Sequence, residues 1–380
     1  MPTLEFKGKP FVYSHHLSVP FRELIIDPKK SLPAKGQKPS LDDSLIIHGD
    51  NLEALKALLP RYAGKVDVIY IDPPYNTGSE KWAYNDNVNS PLMKEWLGKV
   101  VDREDLERHD KWLCMIWPRI QLLRELLSEK GVIFISVDDT EQGNLRTVCD
   151  EIFGDDNFVA NLIWQKKYSP ANDATWFSDD HDFILCYAKN RLVWRPGKIT
   201  RSAKQNKAYK NPDNDSRGDW KSGDYTSNKT RWERPNGWYA IENPNTGEKA
   251  WPSEDAVWRF VEEEHEENAA NNRVWWGKNG DNKVPAYKRF LNDVDDLVPR
   301  TIFLYEDVGH TQDAAREINL IFGSKAFPTP KPSSLVERLI VVSGHKDGVV
   351  LDSFAGSGTT AHAVLAQIRH HHVTASFPSR

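Results

Sequence analysis

The sequence predicts an α/β fold: a mostly parallel sheet with flanking helices, interrupted by an irregular insertion. Three observations carry that reading. Short β-branched apolar runs alternate with helical patterns from residue 44 to about 160, and again from 333 to 368. That alternation is the signature of strands joined by crossover helices. Runs such as VDVIYID (66–72) are apolar on both faces, as strands covered from both sides are. From 161 to 300 the long apolar periods stop while aromatic residues persist, with ten of the 14 tryptophans falling between Trp164 and Trp276. A disordered linker would be poor in aromatics, so this stretch is expected to fold on its own terms.

The elements follow in order. Residues 1–40 mix Pro, Lys and Ser and read as an arm or irregular lead-in. SLIIHGD (44–50) is predicted as a strand and NLEALKALLPRY (51–62) as a helix with apolar residues at helical spacing. After the strand 66–72, residues 110–131 form a long helical pattern stopped by Lys-Gly, followed by the strand VIFISVDD (132–139) and a helix over 140–154. The α/β text resumes with a helix at 333–344, a strand at 349–354 and a helix at 359–368. These divisions give an arm (1–40), a first α/β part (41–190), an insertion (191–325), a second α/β part (326–368) and an atypical tail (369–380). Within the insertion, 191–234 holds 12 Lys/Arg against 5 Asp/Glu, whereas VEEEHEENAANN (261–272) is acidic and reads as a solvated helix.

Composition narrows the function classes. A chain of 380 residues can bury a large core, and its formal charge of −5 means that any basic surface must be local. Cys114, Cys149 and Cys186 are far apart and odd in number, which argues against a disulfide framework or a zinc cluster. No run reaches the ~18 apolar residues of a membrane span, and a cytoplasmic setting is expected. The histidines at 15–16 and in RHHHV (369–373) lack further ligands at suitable spacing, so no metal is expected.

Two motifs carry chemistry, and both sit where a predicted strand ends, so both would face the ligand-binding edge of a parallel sheet. In LDSFAGSGTT (351–360), Gly356 and Gly358 let the backbone approach a ligand closely, and the following helix offers unpaired N–H groups. It fits a dinucleotide fingerprint poorly, because the third glycine position is Ala361 and no acid follows. In DPPYNTGSE (72–80), Pro73 and Pro74 have no N–H to donate while their carbonyls still accept. The Asp72 carboxylate beside a carbonyl such as that of Pro73 makes an acceptor-only cup, suited to an amino group with two hydrogens. Tyr75 adds an aromatic face on which a planar base can stack. An exocyclic amine on a flipped nucleobase fits both features.

On these residues the sequence resembles the N6-adenine/N4-cytosine DNA methyltransferase family in its β-type motif order. DPPYNTGS matches the family's catalytic motif, LDSFAGSGTT its S-adenosylmethionine loop, and FPTPKPSSLVERLI (327–340) the segment preceding the cofactor strand. WPRIQLLRELLSEKGVIFISVDD with NFVANLIWQKK is most like the modification subunits of type III restriction systems. The resemblance implies a circularly permuted S-adenosylmethionine-dependent methyltransferase sheet whose insertion recognises the target. It assigns Asp72, Pro73, Pro74 and Tyr75 to the target base. Asp352, Phe354, Ala355, Gly356, Ser357, Gly358 and Thr359 go to the methionine end of the cofactor, Asp50 to its adenine or ribose side, and Lys331 to the same pocket. Asp rather than Ser in the first catalytic position favours adenine N6. The implied partners are double-stranded DNA, a second copy of the chain and a helicase-nuclease restriction subunit. A stand-alone methyltransferase and an inactive DNA-binding remnant are the alternatives. Lys166, Lys167, Lys204, Lys207, Lys210 and Arg217 are candidates for phosphate contact. The sequence departs from the family after Asp352: no Asp or Glu follows, so the acid that bonds the cofactor ribose is missing from its expected place. That departure reads as truncation or frame disruption, with weak or absent cofactor binding expected.

Overall fold

A computed structural model describes residues 3–33, 35–77, 108–171 and 174–375. Gly78 and Ser79 of the catalytic motif and residues 376–380 of the expected tail lie outside these. The chain divides into two compact units, Met1–Lys198 with Val298–Arg380, and Ile199–Leu297.

The first unit is built on a six-stranded sheet of β1 (Val66–Ile71), β2 (Leu127–Val137), β3 (Phe158–Gln165), β4 (His181–Ala188), β5 (Ile302–Phe303) and β6 (Val350–Leu351), in the order β5-β3-β4-β2-β1-β6. Its main helices are α1 (Asn51–Tyr62), α2 (Arg108–Leu126), α3 (Gln142–Phe153), α4 (Thr311–Phe322), α5 (Ser333–Ser343) and α6 (Thr359–Ala375). β1 runs parallel to both β6 and β2, and β5 runs parallel to β3, whereas β4 is antiparallel to both β2 and β3. Five strands therefore point one way and β4 alone is reversed, giving a mixed, mostly parallel sheet. The reversal arises because β3 and β4 follow one another as neighbours, and an antiparallel pair needs no crossover helix.

Burial explains the strand assignments. Ile69 and Ile71 of β1 and Ile133, Phe134 and Ile135 of β2 are wholly buried. α2 presents Trp112, Ile116, Ile120 and Leu123 to the same core, also wholly buried. Each such side chain contributes about 1.5–3 kcal/mol on leaving water. The polar Tyr70 hydroxyl is accommodated by a 3.0 Å hydrogen bond with Ser136 on the neighbouring strand.

Several sequence expectations need correction. Residues 44–50 form no strand, and Ile46 is 96% exposed. A strand needs a ladder partner, and among the described residues nothing pairs with the outer edge of β6. The helix expected over 110–131 ends at Leu126, because Leu127 already pairs with Val66. Gly131 is no helix stop. It lies in the bulge where pairing jumps from Val66–Leu127 to Val68–Val132, and a Cβ there would stand 2.9 Å from the Val66 carbonyl oxygen. The strand expected over 349–354 is only Val350–Leu351. α6 continues to Ala375, so residues 369–375 of the expected tail are helical backbone. The N-terminal arm is docked: Val12 is wholly buried in the core, and the Lys9 ammonium bonds Glu151 at 2.9 Å.

The second unit is narrower than the insertion expected over 191–325; residues 191–198 and 298–325 belong to the first. Trp220–Asp224, Ala286–Phe290 and Val274–Trp275 form a three-stranded antiparallel sheet. Tyr225, Ile241, Trp258 and Trp276 make its small core. The acidic stretch forms the helix Glu262–Ala270, none of whose residues is buried. Among the described residues, no helix is long and apolar enough to cross a membrane, and no group of acids, cysteines and histidines could hold a metal.

Candidate active site

β1 and β6 are adjacent and parallel, with Ile69 opposite Leu351, so their carboxyl ends lie side by side. Asp72 leaves the first of these ends and Asp352 the second. Neighbouring strands run about 4.8 Å apart, so the two motifs share one edge of the sheet.

The catalytic-motif turn is held from several sides. The indole N–H of Trp112 donates to the Pro74 carbonyl at 2.6 Å. Pro73 is buried, and no hydrogen bond to its carbonyl is made among the described residues. Asn76 adopts a left-handed conformation with φ of 61°, which asparagine tolerates better than most residues. Its amide donates to the Arg108 carbonyl and to Glu141, a wholly buried carboxylate that also bonds His109 at 2.7 Å and Asn144 at 2.8 Å. This cluster fixes the chain where it leaves the proline turn. The Tyr75 hydroxyl donates to Asp182 at 3.4 Å, and Asp182 is paired with Lys166 at 2.8 Å. Burial, then the nearby charges of Asp72 and Asp182, hold the Tyr75 phenol well above its ordinary pKa, so it stays protonated.

Lys331 joins the two motifs. Its ammonium donates to both carboxylate oxygens of Asp72 at 2.7 Å and lies 4.8 Å from the centre of the Tyr75 ring. The buried Trp164 ring is 5.9 Å away. The backbone of the same residue touches the glycine loop: the Thr359 hydroxyl donates to the Lys331 carbonyl at 3.2 Å.

The loop from Asp352 to Thr359 is shaped by its own polar groups. One Asp352 oxygen accepts from the Phe354 N–H at 2.8 Å and the other from the Thr360 hydroxyl at 2.6 Å. The Ser357 and Thr359 hydroxyls are hydrogen-bonded at 2.9 Å. Gly356 and Gly358 both have positive φ, at 51° and 80°, where a side chain is strained. Phe354 is 3% exposed and belongs to the core, while Ala355 and Gly356 are exposed.

Asp50 does not end a strand. It caps α1, its Oδ1 accepting from the Leu52 N–H at 2.9 Å and the Glu53 N–H at 3.1 Å. Asn51, which the sequence reading passed over, makes the connection instead. Its amide N–H donates to the Ser353 carbonyl at 3.2 Å, and its oxygen accepts from Arg119 at 2.7 Å.

Of the basic residues considered for phosphate contact, Lys166 is committed to Asp179 and Asp182, and Arg217 to Asp215. Lys207 and Lys210 are exposed. In the second unit Trp220, Trp258 and Trp276 are buried, whereas Trp232 is 81% and Trp251 49% exposed.

Burial raises the Asp352 carboxyl from the ordinary 3.8 to about 6, against the pull of its Thr360 and Phe354 hydrogen bonds, with Asp72 adding a further upward push. The folded state therefore binds the extra proton between these values. Stability is fullest below the unfolded pKa and declines as pH rises through the folded one. Asp352→Asn keeps both contacts, because the Thr360 hydroxyl can turn to accept. Urea unfolding should show wild-type stability falling relative to this variant by about 3 kcal/mol at most between about pH 4 and 7. A pH-independent difference contradicts the assignment.

Comparison with known proteins places the chain in a family. The family model described as DNA methylase, for N6 and N4 methyltransferases, matches residues 66–372, which takes in both motifs and the segment between them. The StyLTI Mod subunit of a type III restriction-modification enzyme from Salmonella typhimurium LT2 is 36% identical over 335 residues, covering 85% of this chain and 50% of that protein. The EcoPI Mod subunit from Escherichia phage P1 is 34% identical over 381 residues, covering 91% and 58%. The type II methyltransferase M.KpnI from Klebsiella pneumoniae is 30% identical over 342 residues, covering 84% and 76%. The chain thus spans about half the length of the two Mod subunits. A match across four-fifths of the residues, with both motifs meeting at one sheet edge, leaves one conclusion: the chain belongs to the N6/N4 DNA methylase family.

Proposed function

We propose that this chain carries the methyl-transfer site of an adenine-N6 DNA methyltransferase that uses S-adenosylmethionine, and that it is the modification subunit of a restriction-modification system. The observation that carries the reading is Lys331, whose ammonium holds both Asp72 carboxylate oxygens over the Tyr75 ring while its carbonyl accepts from Thr359 of the glycine loop. The loop residues fit such a cofactor, so binding is expected here in place of the weak or absent binding that the acid missing after Asp352 suggested. Ala355 and Gly356 expose their backbone, a side chain built at Gly358 would meet open space, and the buried Ser353 hydroxyl has no hydrogen-bond partner. Asp352, Ser353, Ser357 and Thr359 would hold its methionine end, and the bound cofactor would supply an electrophilic methyl group.

The protein's own part is to prepare the amine. Asp72 and the Pro73 carbonyl each accept one N–H of the target amine, drawing its lone pair out of conjugation with the ring and toward the methyl donor. Tyr75 stacks on the extruded base. After transfer the amine nitrogen carries an extra proton, and Asp72 is the adjacent base that can receive it. Adenine is preferred over cytosine because the motif opens with Asp.

Double-stranded DNA is the substrate, and the aromatic second unit supplies target recognition. With it we propose a homodimer that works with a helicase-nuclease subunit in the cytoplasm, a reading that likeness to the Mod subunits supports. Likeness to M.KpnI favours a second reading, a methyltransferase acting without such a subunit. Incubation with labelled S-adenosylmethionine and DNA, followed by nucleoside analysis, tests the proposal. N6-methyl-2′-deoxyadenosine is expected. N4-methylcytosine would overturn the choice of base, and no methylated nucleoside would overturn the activity. Co-purification with a helicase-nuclease separates the two readings.

A further inference from the structure

Lys331 stands where the substrate amine is expected. Its ammonium takes both oxygens of Asp72 and lies over the Tyr75 ring, the two features assigned above to the amino group and the base. The ammonium is a donor-only group, like the two hydrogens of an exocyclic amine, so it satisfies the cup in the free protein. A base amine and the Lys331 ammonium cannot both hold Asp72 in this way. Entry of the base requires the lysine to leave.

The structure also shows where the lysine is anchored. Its backbone carbonyl accepts from the Thr359 hydroxyl, and Thr359 itself bonds Ser357 inside the glycine loop. From that anchor the flexible four-carbon stem can serve a second anion placed at the loop. An amino-acid carboxylate, such as the one at the methionine end of the expected cofactor, has that chemistry. The Tyr75 and Trp164 rings, 4.8 and 5.9 Å from the ammonium, offer aromatic faces that stabilise the cation as it moves between the two anions.

Resting on the methyltransferase reading above, we infer that Lys331 is a positioning residue that couples the two ligands: it occupies the Asp72 cup as a surrogate for the substrate amine until a cofactor carboxylate draws its ammonium away. Cofactor occupancy then opens the cup, and the base enters second. The coupling is a competition between two anions for one cation, so it is reciprocal. Weakening the hold of Asp72 on Lys331 must strengthen the hold of the cofactor.

That reciprocity gives a test needing neither DNA nor turnover. The probe is S-adenosylhomocysteine, which has the carboxylate but lacks the sulfonium charge, so direct attraction between Asp72 and a sulfonium does not enter. Calorimetric titration of the whole chain should show Asp72→Asn binding it about tenfold more tightly than wild type, and Lys331→Met binding it at least about tenfold more weakly. In the double variant the gain from Asp72→Asn should vanish, because there is no lysine left to release. Lys331→Arg keeps the charge and should retain part of the affinity. A merely structural role for the ion pair predicts the opposite for Asp72→Asn, which would then lose affinity together with Lys331→Met. Unchanged or weaker binding by a folded Asp72→Asn overturns the coupling and leaves the methyltransferase reading standing. Failure of every folded variant and of wild type to bind the probe overturns the cofactor reading and the coupling with it.

Discussion

Asp72→Asn is expected to lower methyl transfer by about a thousandfold while leaving the chain folded. The substitution is small in volume and changes the cup in two ways. It removes the negative charge that stabilises the developing positive charge on the amine nitrogen. It also brings an NH₂ group, a donor, into a place built only from acceptors, where it faces the N–H bonds of the substrate. Asparagine keeps one oxygen for the Lys331 ammonium, which now bonds both carboxylate oxygens at 2.7 Å, so the site does not strand a partly buried lysine. The measurement is single-turnover transfer of labelled methyl groups at saturating cofactor and DNA, with the unfolding midpoint as control. Loss of rate with an unchanged midpoint and undiminished S-adenosylhomocysteine affinity places the defect at the amine. A variant retaining more than about a tenth of the rate would remove Asp72 from that role.

Residues far apart in sequence meet in this site for a reason that spacing makes only half visible. The two motifs could be assigned to one sheet edge because each follows a buried apolar run, and parallel strands covered on both faces end on the same side. Lys331 could be linked to the pocket only through the family resemblance, because its bond to Asp72 spans 259 positions and no local pattern announces it. Glu141 was not visible at all. A glutamate at a helix start reads as a surface residue, and only the packing of α2 against α3 shows that it is wholly buried beneath Asn76. The asparagine directly after the tyrosine was the available clue, since that residue type is enriched where the backbone turns left-handed.

The misread elements have one physical cause in common. SLIIHGD has the composition of a strand, but composition supplies only side chains for two faces. The backbone still needs a neighbour, and the described residues place none beside the outer edge of β6. Lys-Gly at 130–131 looks like the end of a helix, but glycine also serves where two backbones approach closely, as it does against Val66. The sequence signal was real in both cases, and tertiary pairing decided its meaning.

Lys288→Met is expected to destabilise the second unit by about 3–5 kcal/mol, enough to unfold it under mild conditions. Lys288 lies on the central strand of the three-stranded sheet and is 1% exposed, an unusual place for a lysine. Its ammonium bonds Asp213 and, at 3.3 Å, Asp215, with the Trp220 and Trp275 rings 5.4 and 5.6 Å away. Hydrogen bonds from Arg217, then Lys288, hold the Asp215 carboxyl well below the usual range against the cost of burial. Both acids are therefore charged at neutral pH, and methionine would leave them facing a thioether. Because methionine nearly matches lysine in length, the loss measures charge rather than an empty cavity. Hydrogen exchange should report the damage across residues 199–297, while the sheet of the first unit, with its separate core, keeps its protection. S-adenosylhomocysteine binding should persist, because every residue assigned to it lies in the first unit. Discrimination between DNA that carries the target sequence and DNA that lacks it should collapse, because the unit proposed to read sequence has lost its frame. Retained discrimination with an unfolded second unit would move target recognition elsewhere, and loss of cofactor binding would show that the two cores are not energetically separate.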